Sequence, residues 1–367
     1  MVLKSLNEFK MKKHNFSAGP SILVPEVLEK ASQAVLDFEG KGLSLIEISH
    51  RSPEFVAIIN EARVLVLELL DLKDKGYSVL FLQGGASMEF VRVAFNLLSP
   101  EGKAGYINTG TWANNAQKEA SFLGNVIELA TSKDKNYAYI PKDINVPDDL
   151  DYLHLTSNNT IYGTQFKAFP PTEIPLVCDM SSDIFSRVLD FSQFDLIYAG
   201  AQKNIGAAGT SLVVVKDAVL GKTNRSLPNI MNYQKHIERE SMYHTPAVFS
   251  VYTCYLTLKW LKDLGGISAI ERRNNAKAHL LYSEIDRNSL FRGTAATEDR
   301  SLMNAVFELN NQDLEMEFDQ FWQAENISGL KGHRTVGGYR ASIYNAMPME
   351  SVQHLVRIMQ HFETKFG

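Results

Sequence analysis

The chain has 367 residues, 45% of them hydrophobic and 22% charged, ordinary values for a globular protein with a sizeable core. Its formal net charge of −5 argues against a nucleic-acid or anionic-membrane surface, so any anion site must come from locally focused charge. The two cysteines, Cys178 and Cys254, form neither a C-x-x-C nor a zinc spacing and cannot make a disulfide framework, which fits a reducing, cytoplasmic setting.

No apolar run approaches the roughly 18 residues that span a bilayer. The opening "MVLKSLNEFKMKKHNFSAGP" lacks the apolar segment of a signal peptide. Organised sequence begins near "HNFSAGP", just after Met11, and the first ten residues read as an extension without function.

In chain order, "PSILVPEVLEKASQAVLDFEGKG" predicts an amphipathic helix ending at glycine. "SPEFVAIINEARVLVLELLDL" predicts a second helix, with Ser52 as N-cap and Pro53 at the first helical position. Strands and helices then alternate. "YSVLFLQGGASMEFVRVAFNLL" reads as strand, Gly-Gly turn, helix, and "KAGYINTGTWANNAQKEASFLG" repeats that order. "VIELA", "YLHLT", "PLVCDM" and "DLIYAGAQK" are further strands, and "TSLVVVKD" reads as an antiparallel one. Such alternation implies a largely parallel sheet with helices on both faces. After about residue 263 the pattern changes: "GGISAIERRNNAKAHLLYSEID" is a long helix, followed by strands "MNAVFELN" and "YRASIYN". The expected division is a large domain over 21–264 and a smaller α+β domain from 1–20 and 265–367.

The common nucleotide and metal signatures are absent. "KDAVLGKT" puts Lys216 where a P-loop needs its first glycine, no G-x-G-x-x-G follows a strand, and no H-E-x-x-H or histidine cluster marks a metal site. What remains is a polar residue just after each of several strands, at the edge where open parallel sheets bind ligands. Gly84, Gly85, Ala86 and Ser87 open a helix whose N–H groups suit a phosphate. Trp112 is either a core residue or a stacking face. Thr160 follows "YLHLTSNN", and Asp179 is either a cap or the partner of a buried cation. Lys203, set among small residues in "AGAQKNIGAAG", is either a loop lysine or an amine held for covalent chemistry. Together they match what pyridoxal 5′-phosphate (PLP) needs: phosphate donors, a flat aromatic, an acid for the pyridine nitrogen and an amine for the aldehyde.

"NFSAGP", "ISHRSPEF", "FLQGGAS", "IYAGAQKNIGAAG", "MYHTPAVFSVY" and "KGHRTVGGYRASIYNAMP" resemble the phosphoserine aminotransferases, class V members of the fold-type-I PLP enzymes, over essentially the whole chain. The resemblance implies an α/β fold whose large domain carries a mostly parallel seven-stranded sheet. It implies that Lys203 binds PLP and moves the substrate proton, Asp179 pairs with the pyridine nitrogen and Trp112 stacks on the ring. It assigns Thr160 to the ring hydroxyl, and Ala86, Ser87 and Gln202 to the phosphate. It also implies a homodimer in which His244 and Thr245 reach the neighbouring subunit's PLP phosphate. Many relatives carry Asn where this chain has His244. Arg340 matches an α-carboxylate ligand, and His50, Arg51, His333 and Arg334 match the surroundings of the substrate's phosphate or second carboxylate. Some relatives have an arginine where Ser87 stands, so one positive charge is missing here.

The implied reaction is ping-pong transamination between glutamate and 3-phosphohydroxypyruvate in serine synthesis, which some relatives extend to pyridoxine synthesis; no metal is required. Two rivals differ in testable ways. A cysteine desulfurase needs a mobile nucleophilic cysteine, and Cys178 and Cys254 lie within a strand and a helix-like run. A non-catalytic phosphometabolite-binding protein has no use for both Lys203 and Asp179.

Overall fold

The computed structural model describes residues 13–367; residues 1–12, where the supposed extension falls, lie outside it. After strand β1 (His14–Asn15) come helices α1 (Pro25–Leu36) and α2 (Pro53–Leu69). Ser52 caps α2 by accepting from the Phe55 N–H, with Pro53 at the first position, as the sequence predicts. Helix α1 stops earlier than predicted. Asp37 turns extended, its side chain accepts from the Gly42 N–H, and the chain buries Phe38 before any glycine is reached.

The alternating stretch supplies β2 (Tyr77–Gln83), α3 (Ala86–Leu97), β3 (Lys103–Asn108), α4 (Thr111–Ser121) and β4 (Asn125–Thr131). Strands β5 (Tyr152–Thr156), β6 (Leu176–Asp179), β7 (Leu196–Gly200) and β8 (Thr210–Lys216) complete a seven-stranded sheet in the order β2-β8-β7-β6-β5-β3-β4. Only β8 runs antiparallel to its neighbours. Residues of β2 alternate between two cores because successive side chains take opposite faces. Val79 and Phe81 join the layer with Phe55 and Ile59 of α2. Leu80 and Leu82 join Phe90 of α3 and Ala116 of α4. The central strands β5, β6 and β7 are buried throughout, so they read as nearly unbroken apolar runs.

Helices α5 (Tyr233–Glu238) and α6 (Val248–Asp263) lead to α7 (Gly266–Arg287). Beyond it, β9 (Phe291–Gly293), β10 (Asn304–Leu309), α8 (Glu315–Ala324), β11 (Ile327–Ser328), β12 (Tyr339–Ser342) and α9 (Met349–Phe366) build a second layer. Its three-stranded antiparallel sheet, ordered β12-β10-β9, packs in a separate core that also takes Phe16 and Ile22. That burial follows from β1 pairing in parallel with β11, His14 opposite Ile327. Among the described residues no helix is long and apolar enough to cross a membrane.

Candidate active site

Strands β3, β5, β6 and β7 run parallel, and β2 points the same way because it shares β8 with β7. The residues after β2, β3, β6 and β7 therefore converge at one edge. There they enclose a cavity of about 130 Å³ lined by Gly84, Gly85, Ala86, Ser87, Phe90, Trp112, Asp179, Ser181, Gln202 and Lys203. A larger cleft of about 650 Å³ opens between Lys133–Ala138, Tyr162, Arg292 and Thr335, but it shares no residue with this cavity. Its cations Lys133, Lys135 and Arg292 are exposed, and Arg292 is already paired with Glu308 at 2.9 Å.

Lys203 stands in the turn after β7, partly buried, its Nζ donating to Thr160 Oγ1 at 2.8 Å and lying 5.9 Å from the Trp112 ring centroid. Desolvation pulls its pKa down to about 8, opposed by the Asp179 charge and assisted by Arg340. Its amine is therefore deprotonated far more readily than an ordinary lysine's. Asp179 ends β6 at 4% exposure. Its Oδ1 accepts from the Ser181 N–H at 2.9 Å and from Ser181 Oγ at 2.6 Å. Burial nevertheless holds the carboxyl above its ordinary range.

The turn after β2 is built by backbone conformation. Gly84 and Gly85 have φ of +114° and +67°, and α3 starts at Ala86 with no side chain capping it. A Cβ on Gly85 would meet nothing within 4 Å, so there is open space beside the start of α3. An anion suits such a helix start.

On the substrate side, Arg340 of β12 is partly buried, with one guanidinium N–H donating weakly to the Thr160 carbonyl at 3.4 Å. Its buried Nε has no partner, and no acid pairs with it among the described residues. His333 accepts from or donates to Thr335 Oγ1 at 2.7 Å; burial, Arg340 and Arg334 lower its pKa. Arg334 is exposed. His50, Arg51, His244 and Thr245 do not line the Lys203 cavity. Arg51 and Thr245 are exposed. His50 Nε2 and His244 Nδ1 are buried without partners, and burial lowers the pKa of both rings. The Thr245 carbonyl accepts from Gln83, which ties that segment to the end of β2.

Sequence reasoning missed Ser181 and Phe90. Ser181 had a local signal, since a serine two residues after an aspartate commonly bonds back to it. Phe90 had none beyond its place one turn into α3.

The residues fit a planar, phosphate-bearing pyridine. Among the described residues no cation is bonded to the buried Asp179 carboxylate and Trp112 Nε1 at the cavity wall has no partner, while the Gly85 cradle is open. Fold and site define a PLP-dependent enzyme of fold type I. The family model for class-V aminotransferases matches residues 13–355. A phosphoserine aminotransferase of Flavobacterium psychrophilum is 64% identical over 97% of this chain and 100% of its own length. The solved phosphoserine aminotransferase of Bacillus circulans superposes with a TM-score of 0.94 at 43% identity, covering 98% of this chain and 100% of that one. The PLP-bound phosphoserine aminotransferase of Trichomonas vaginalis gives 0.90 at 33% identity, over 95% and 100%. The chain belongs to the class-V aminotransferases, within the phosphoserine aminotransferase family.

Proposed function

We propose that this chain works in the cytoplasm, exchanging the amino group of L-glutamate with 3-phosphohydroxypyruvate to give 2-oxoglutarate and O-phospho-L-serine, reversibly, in L-serine synthesis. The observation that carries the reading is a low-pKa Lys203 facing a buried Asp179 in one cavity, with an acid-free Arg340 close enough to depress the lysine further.

Asp179, Trp112, Thr160, Gln202 and the N–H groups at Ala86 and Ser87 would hold the cofactor. When bound, PLP supplies an aldehyde for the amino group and a ring that spreads the charge left at Cα. The protein's own work is proton handling and orientation. Lys203, its amine neutral at mildly alkaline pH, takes the Cα proton and returns it two atoms away, on the far side of the amino nitrogen. Asp179 stays ionised once a cation faces it, and so holds the ring nitrogen protonated. Arg340 grips the α-carboxylate through its planar fork. His333 and Arg334, with His50 and Arg51, surround the far anion, which is a phosphate in one half-reaction and a carboxylate in the other.

We read the enzyme as a homodimer in which His244 and Thr245 serve the partner's cofactor phosphate. The resemblance of the "MYHTPAVFSVY" segment to the family supports this. A substrate-panel transamination assay on purified protein with added PLP tests the reaction; preference for alanine and glyoxylate over the phosphorylated pair would overturn it. A mixed dimer tests the sharing. Combining a Lys203→Ala subunit with a His244→Ala/Thr245→Ala subunit leaves one site intact if sites are shared. Activity should recover to about half that of wild type, by counting sites. No recovery in a mass-confirmed heterodimer would refute the cross-subunit role.

A further inference from the structure

Tyr344 lies two residues beyond β12, fully buried, and takes no part in the reading above. Its hydroxyl donates to the Ala18 carbonyl at 2.7 Å and accepts from Asn304 Nδ2 at 3.2 Å, with Thr160 beside it. Each partner leads to a different wall of the site. Ala18 opens the segment 18–21, which is wedged against the lysine turn. A Cβ on Gly19 would stand 3.4 Å from Lys203 Cγ, Ser21 N–H donates to the Gln202 carbonyl at 2.9 Å, and Ser21 Oγ donates to the Lys203 carbonyl at 2.5 Å. Asn304 donates to Ser342 Oγ at 3.0 Å and accepts from Asn158 Nδ2 at 2.8 Å. It thus ties β12, which carries Arg340, to the loop that carries Thr160. Lys277, buried at 2% exposure, fixes the same stretch from behind by donating to the Ile343 and Tyr344 carbonyls at 3.0 and 2.6 Å.

We propose that Tyr344 is a positioning residue: its hydroxyl joins the Arg340 strand to the 18–21 segment and so sets the separation between the Arg340 guanidinium and the Lys203 amine. The proposal rests on Arg340 being the carboxylate ligand. Buried side-chain networks of this kind specify one geometry when every member is bonded, and a misplacement near 1 Å is enough to cost orders of magnitude in a reaction that depends on alignment.

The test uses the PLP-loaded enzyme and glutarate, a five-carbon dicarboxylate without an amine, with its dissociation constant read by calorimetry. Tyr344→Phe keeps the ring and removes the hydroxyl. It should weaken glutarate about tenfold, the scale of a modest misalignment, while PLP affinity stays within about twofold and borohydride still labels Lys203. Arg340→Gln should weaken glutarate more, and adding Tyr344→Phe to it should change nothing further, because the hydroxyl acts through the arginine. Asn304→Ala removes one partner of the same hydroxyl and should shift glutarate in the same direction, even if Tyr344→Phe folds poorly. Unchanged glutarate affinity in both Tyr344→Phe and Asn304→Ala, or additive effects in the double variant, overturns the proposal. An Arg340→Gln enzyme that binds glutarate as wild type does would instead overturn the carboxylate assignment beneath it.

Discussion

Thr160, Asp179 and Ser181 beside Lys203 are buried and bonded within one chain, whereas the cations toward Arg334 are exposed and mostly unbonded among the described residues. Thr160 and Asp179 are 3% and 4% exposed and each has a defined partner. Arg51 and Arg334 are exposed, and Arg340 has a single long bond and an orphaned Nε. On the proposed assignment of these residues, the difference follows from what each half has to bind. A cofactor presents the same atoms in every turnover, so a fixed cage suits it. Two alternating anions, one tetrahedral and one planar, require donors that can change direction, and long side chains kept free of internal bonds retain that freedom.

Four measurements can break or sharpen this contrast. Lys203→Ala should give the largest effect, a loss of turnover of at least about 10³-fold, since both attachment and proton transfer go with the amine. Circular dichroism should find the fold intact, and borohydride should no longer fix cofactor to the chain; labelling of another lysine in wild type would dismiss Lys203.

Asp179→Asn should cost about 10²-fold in kcat, the scale of removing one preorganised charge. It also has a sign in the cofactor-free protein. Burial raises the folded-state pKa of Asp179, so the folded state binds that proton more tightly, and the stabilisation is present at low pH and lost as pH rises through the folded value. The cofactor-free Asn variant should therefore melt no lower than wild type at neutral pH, with its advantage shrinking toward acid. Wild type should regain the lead when PLP is added. A variant that melts lower without cofactor and keeps full kcat would make Asp179 a cap and nothing more.

Arg340→Gln should raise KM for both substrates by roughly 10- to 100-fold, the range for losing a hydrogen bond to a charge. Cofactor affinity should hold, because the contrast assigns this residue to the rim. Equal losses in KM and PLP binding would merge the two regions into one.

The smallest effect is a displaced titration. Trinitrobenzenesulfonate reacts with neutral amines, and labelling of Lys203 in cofactor-free protein should pass its midpoint near pH about 8, where half of its amines are neutral. Exposed lysines should continue to gain reactivity up to pH about 10. A Lys203 profile that follows the exposed ones would remove the desolvated amine from the argument.

The cage was more legible in the sequence than the rim. Short apolar runs followed by small or polar residues mark the ends of β2, β6 and β7, and polar residues after those strands line the cavity. Those signals are local, because the same few residues make the strand and the turn. Nothing local indicates that Asn304 reaches Asn158, or that Tyr344 reaches Ala18; such pairs exist only after distant segments pack. The end of α1 was missed for a related reason. Asp37 is drawn off the helix by a loop N–H and by the burial of Phe38, and the sequence pattern scores neither. His244 and Thr245 have a recognisable motif but lie outside their own chain's cavity.

The short pairing of β1 with β11 has a consequence for synthesis. His14 bonds to Ser351, 337 positions further on, and Phe16 donates its N–H to the Ser328 carbonyl. A ribosome therefore delivers the lysine turn, and the sheet that supports it, long before the strand that seats residues 18–21 against that turn. Contacts so distant in sequence form late. The nascent chain can hold a folded sheet while the segment that braces its lysine turn is still unseated, so that turn gains its full support only when the last strands and helix have docked.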